Sequence, residues 1–133
     1  MKDEVKAALL STQLTMQDLK KRTKDFAIQV IRLCKALPNN REGNNIGGQL
    51  FRSGTSVGAH YREAFRAKSN ADFISKCEGA LQELDETAYW FELIEESGLM
   101  SNVPVTELRK ECDELTAIFV AMTTNIKRRT TRA

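Results

Sequence analysis

The stretch Leu50–Ala67, LFRSGTSVGAHYREAFRA, restricts most severely what this chain can fold into. At helical spacing Gly47, Leu50, Gly54, Val57, Tyr61 and Ala64 share one side of a helix predicted over 46–68. A glycine inside a helix costs about 1 kcal/mol relative to alanine. Gly47, Gly48, Gly54 and Gly58 together cost about 4 kcal/mol, a large fraction of a typical domain's net stability. Such a helix persists only where neighbours come close enough to its small residues to offset that cost. The segment is expected to be the wall against which the other helices pack.

Three further stretches carry apolar residues at steps of three and four. Met16, Leu19, Thr23, Phe26, Val30, Leu33 and Leu37 form one seam; Phe73, Cys77, Ala80, Leu84, Thr87, Phe91 and Ile94 form another. Leu108, Cys112, Leu115, Phe119, Met122 and Ile126 form the last. No β-branched run bounded by turn signals suggests a strand. The expected fold is all-α, an up-down-up-down antiparallel four-helix bundle in one domain over 1–133, with helices at 15–37, 46–68, 70–97 and 104–128. Ser69 with Asp72 resembles a capping box, Gly98 suits a C-terminal cap, and Pro104 is tolerated in a first turn. Residues 1–14 read as a frayed or helical lead-in, the polar run from Pro38 to Asn45 as a loop, and 130–133 as a loose tail.

The net charge of +2 conceals an asymmetry. Residues 1–68 hold 13 Lys/Arg against 6 Asp/Glu, residues 69–101 hold 1 against 8, and residues 102–133 hold 6 against 4. Acidic and basic helices can attract each other within a bundle or between subunits, or a basic face can remain for nucleic acid. Cys34, Cys77 and Cys112 are odd in number, widely spaced and without a CxxC pair, which disfavours a zinc site or redox motif and suits a reducing cytoplasm. No apolar run approaches the roughly 20 residues of a membrane span.

No catalytic constellation emerges, and no cofactor or metal is expected. Gly54-Thr55-Ser56-Val57-Gly58 lacks the lysine and preceding strand of a phosphate loop. His60 is the sole histidine, and Val57 three residues before it breaks the Glu-x-x-His pattern of di-metal bundles. Arg52, Arg62 and Glu63 lie among small residues, and Glu83 and Glu86 lie on the third predicted helix. A guanidinium fork can hold a carboxylate through two hydrogen bonds, so these five residues are expected to form a partly buried ion-pair network. A carboxylate acid/base pair is the other chemistry open to them. Lys20, Lys21, Arg22 and Lys24, with Arg66, Lys68, Lys127, Arg128, Arg129 and Arg132, are candidates for nucleic-acid contact or merely solvated helix faces. Tyr89 and Trp90 fall beside the core seam and are candidates for an oligomer interface.

The segments LFRSGTSVGAHYREA and SNADFISKCEGALQELDETAYWFELIEESG resemble a family of four-helix bundles first met as proteins encoded within intervening sequences of bacterial 23S rRNA genes. The likeness runs from DLKKRTKDFA to ECDEL. It implies a four-helix bundle, assembly into a homopentamer, and no known enzyme activity. A related protein, the accessory variability factor of diversity-generating retroelements, is a basic pentamer working with a reverse transcriptase. His60 stands where the family commonly has Asn. Two functions are therefore in view. One is a non-enzymatic oligomeric scaffold that contacts RNA, DNA or a nucleic-acid-processing protein. The other is a purely structural or protein-interaction bundle.

Overall fold

The computed structural model describes residues 1–101 and 103–132, apart from the side chains of Ser11, Val103, Pro104 and Arg132. All regular structure among them is helical. Helix α1 spans Lys2–Leu9 and runs into a 3-10 turn, Leu10–Thr12; α2 is Met16–Ala36, α3 Arg41–Phe65, α4 Asn70–Glu96 and α5 Val103–Arg132.

Side-chain caps set three of the starts. Thr15 and Asp18 form a reciprocal capping box at α2, Asn40 accepts from the Gly43 amide at α3, and Ser69 accepts from the Asp72 amide at α4. The Asn40 cap corrects the expected loop: the polar run 41–45 is the first turn of α3. Its residues lack an apolar period, but the cap and Glu42 near the positive end of the helix suffice to start it. At the other end α3 stops at Phe65, three residues before the expected 68. Gly98, at φ +73°, follows α4 in the left-handed conformation that glycine adopts without strain. Helix α5 continues to Arg132, past the expected end at 128; Thr130 donates to the Ile126 carbonyl and is reached by the Asn70 amide.

All three seams are buried, and the glycine-bearing helix sits between α2 and α4. Facing residues run in opposite order along each pair. Along α2 and α3, Leu37 faces Gly47, Val30 faces Gly54, Thr23 faces Gly58, and the Tyr61 hydroxyl donates to the Met16 carbonyl. Along α3 and α4, Ser53 meets Thr87 and His60 lies over Gly79. Along α4 and α5, Glu92 and Glu95 face Arg109, and Glu78 faces Lys127. Ser53 and Thr87 are fully buried polar residues. Their hydroxyl oxygens lie 2.8 Å apart, and Thr87 donates onward to the Glu83 carbonyl at 2.7 Å. That chain satisfies both groups between two helices, as burial demands.

The glycines differ in what they do. A Cβ on Gly54 would lie 2.8 Å from both Val30 methyl carbons, and one on Gly43 would collide with the Pro38 carbonyl oxygen. Gly48 faces open space and contributes nothing to packing. Residues 1–14 are also more than a lead-in. Val5, Ala8 and Leu9 of α1 are buried against α5, and Asn125 donates to the Ala8 carbonyl.

The three cysteines are unpaired. Burial raises the thiol of Cys34 from 9.0 to about 11 and those of Cys77 and Cys112 to about 12. The unfolded chain releases these protons near pH 9, while the folded chain holds them until about 11–12. Their contribution to stability is therefore full below pH 9 and is lost as pH rises through that window. Urea midpoints measured from neutral pH upward are expected to fall above pH 9, and less steeply in a variant with all three cysteines replaced by alanine.

Candidate nucleic-acid interface

The register of the helices gathers cations at one end of the molecule. There α2 begins, α3 ends, α4 begins and α5 ends, as the Tyr61–Met16 and Asn70–Thr130 contacts show. Lys20, Lys21 and Lys24 of α2 and Arg62 of α3, together with Gln17, line one open cleft of about 420 Å³. Among the described residues no carboxylate lines it. Lys21 also pairs with Asp25 at 2.7 Å along its own helix, so Lys20, Lys24 and Arg62 supply most of the cleft's uncompensated charge. The Lys20 ammonium stands 5.3 Å from the centre of the Phe65 ring, a cation–π arrangement. Arg66 and Lys68 are exposed just beyond the end of α3, and Arg128 and Arg129 are exposed near the end of α5. The Arg132 side chain lies outside the described residues.

Two of the sequence candidates are engaged elsewhere. Arg22 belongs to no basic face: its Nε and Nη2 each donate to Glu111 at 2.7 Å, and Nη2 reaches Glu114 at 2.9 Å, which joins α2 to α5. The four-residue cluster on α2 is divided by helical geometry, because Arg22 points some 100° per residue away from its neighbours. Lys127 pairs with Glu78 of α4 at 2.7 Å.

The expected ion-pair network is smaller than its five residues. Arg52 forks between Glu83, at 3.1 Å, and Glu86, and the Trp90 indole donates to Glu86 as well. The Arg52 hydrogen bond is the main cause that holds the Glu86 carboxyl below the usual carboxylate range. Arg52 is half exposed, so solvent screens these pairs and they fix register more than they add stability. Arg62 is not in this network but in the basic cleft, and Glu63 faces Lys76 at 3.7 Å. Arg62 is the cleft residue that sequence reasoning placed elsewhere. The signal was available in principle, because Thr23 facing Gly58 and Met16 facing Tyr61 place position 62 beside 17–20, but that register is a tertiary fact. Tyr89 is 52% exposed, its ring 5.3 Å from that of the half-buried Trp90.

Among the described residues no cluster of three or more His, Cys, Asp or Glu side chains could hold a metal ion. No described helix is long and apolar enough to cross a membrane.

The sequence profile of the 23S rRNA-intervening sequence protein family matches residues 16–121. A crystal structure of a protein of unknown function from the S23 ribosomal protein family of Bacteroides thetaiotaomicron is similar, with 33% sequence identity and a TM-score of 0.74. That match covers 79% of this chain and 97% of the other. No curated protein matches the chain significantly. With the profile match extending from the first turn of α2 well into α5, this chain belongs to the 23S rRNA-intervening sequence protein family.

Proposed function

We propose that this protein is a non-enzymatic scaffold that binds nucleic acid by charge through the cleft between α2 and α3. The supporting observation is the convergence of Lys20, Lys24 and Arg62 on one open cleft that no carboxylate lines among the described residues. Cations so arranged attract a phosphate backbone irrespective of base sequence. The four long helices act as one up-down-up-down antiparallel bundle domain, a reading supported by the opposed order of facing residues in consecutive pairs. The protein works as a homo-oligomer, as a pentamer by family likeness, with Tyr89 and Trp90 at the subunit contact. A ring would repeat the cleft and add weak phosphate contacts into useful affinity. The site of action is cytoplasmic, as three unpaired cysteines favour.

The second reading is a purely protein-interacting bundle. It is favoured by the exposed Phe51, Tyr89 and Val120 and by the use of Arg22 and Lys127 in internal ion pairs. Anisotropy titrations with labelled single- and double-stranded oligonucleotides across a range of salt separate the two. Each phosphate neutralised contributes about −0.9 to the slope of log K against log salt on duplex and about −0.7 on single strands. Replacing Lys20, Lys24 and Arg62 together by glutamine is expected to flatten that slope by about two to three on either nucleic acid. No binding by the native chain at low salt, or an unchanged slope in the triple variant, would overturn the proposal. Light scattering tests the assembly, and a monomer at micromolar concentration would count against the ring.

A further inference from the structure

We infer that an apolar hollow beside the basic cleft receives an unpaired base of single-stranded nucleic acid, an inference that rests on the charge-driven reading above. The hollow has a volume of about 500 Å³, in the range of small-ligand sites. Its apolar walls are Leu10, Leu14, Met16 and Phe65, and Lys2 and Lys6 also line it. Gln17 lines both this hollow and the basic cleft, so the two are neighbours. Lys20, set over the Phe65 ring, stands at the junction between them. Cations therefore line both the apolar, partly aromatic recess and the cleft beside it, and among the described residues no carboxylate lines either space.

That pattern matches a chain that carries a negative charge on each side of a flat, largely apolar unit. A nucleotide within a single strand is such a unit: its base can enter the recess against Phe65 while the flanking phosphates meet Lys2 and Lys6 on one side and Lys20 and Lys24 on the other. Stacking on an aromatic ring is open to every base and needs no sequence. A duplex keeps its bases paired and cannot use the recess without unpairing. A fatty acid offers one charge, which leaves most of these cations unmatched.

Leu10 carries the second line of support. Among the described residues it is the most exposed large apolar side chain, at 74%, in a 3-10 turn whose neighbours Ala8 and Leu9 are buried. Such an aliphatic side chain held at the lip of a recess suits contact with a guest. Helix α1 and this turn lie ahead of residues 16–121, so the recess is built in part from an element added to the family's matched region.

The test compares a labelled oligouridylate, an abasic sugar–phosphate strand of equal length and charge, and a duplex, at one low salt concentration. The native chain is expected to bind the oligouridylate on the order of tenfold more tightly than the abasic strand. In a Leu10→Gln, Phe65→Leu variant that preference disappears while the salt slope stays as in the native chain; circular dichroism confirms that the variant remains folded. Leu10→Gln alone, at an exposed position, keeps the test valid if the Phe65 substitution disturbs packing, and it should lower the preference in part. Equal binding of abasic and base-bearing strands by the native chain overturns the base site and leaves the charge reading intact. Failure of all three to bind overturns both. Displacement of an environment-sensitive dye from the recess by laurate or an acidic peptide, but not by oligouridylate, also overturns the inference.

Discussion

Replacing Gly54 with leucine is expected to destabilise the protein by more than about 3 kcal/mol. A single Cβ there already approaches two Val30 carbons to 2.8 Å. Valine in a helix has one strongly preferred χ1, so Val30 cannot swing aside, and three further carbons must enter the same space. Extra methylenes forced into a packed core cost about 1–3 kcal/mol, and leucine adds more than that series usually does. Net stabilities of about 5–15 kcal/mol leave little margin. Urea unfolding followed by far-ultraviolet circular dichroism measures the effect. The matched control is Gly48→Ala, on the same helix, where a Cβ meets nothing within 4 Å. That variant is expected to gain up to about 1 kcal/mol from helix propensity. An unchanged midpoint in Gly54→Leu would mean that α2 and α3 do not pack at this distance.

Truncating Tyr61 to alanine is expected to cost about 3–5 kcal/mol, the range for loss of a large buried aromatic. Tyr61 is fully buried where α3 meets α2 and α5. Its ring makes edge contacts with Phe65 at 5.2 Å and Phe119 at 5.6 Å, and its hydroxyl donates to the Met16 carbonyl at 3.1 Å. Tyr61→Phe removes only the hydroxyl and should cost about 1 kcal/mol, the net worth of one hydrogen bond. Thermal melts of the two variants separate ring packing from the hydrogen bond. Equal losses in both would show that the Met16 carbonyl, not the ring, is what the residue serves.

These two residues also show what was legible in the amino-acid order. The side of α3 that carries Gly54 and Tyr61 could be read from a period of three to four, because each helix buries one stripe. The start of α4 followed from the capping chemistry of Ser69 and Asp72, whereas that of α2 was read from where its apolar seam begins, and its Thr15–Asp18 box emerged only in the structure. The start of α3 was missed because its first turn has no apolar period and only the Asn40 side chain announces it. Helix α1 was underestimated for a different reason: eight residues have little helical stability alone, and their burial depends on α5, more than 100 residues away.

The basic site was legible only as a composition. Sequence alone established that cations crowd the first half of the chain and acids the third long helix, that the fold is helical, and that no membrane-spanning run is present. It could not say which cations would be neutralised. Arg22 and Lys24 are two residues apart, yet one is clamped by Glu111 and the other lines an open cleft. Arg62 changed from expected ion-pair partner to cleft residue once the α2–α3 register was known. Local periodicity is written into the chain because a helix repeats every few residues. Charge pairing at distances below 4 Å is decided by which helices become neighbours and by how far one slides along the other, and only the tertiary structure settles that.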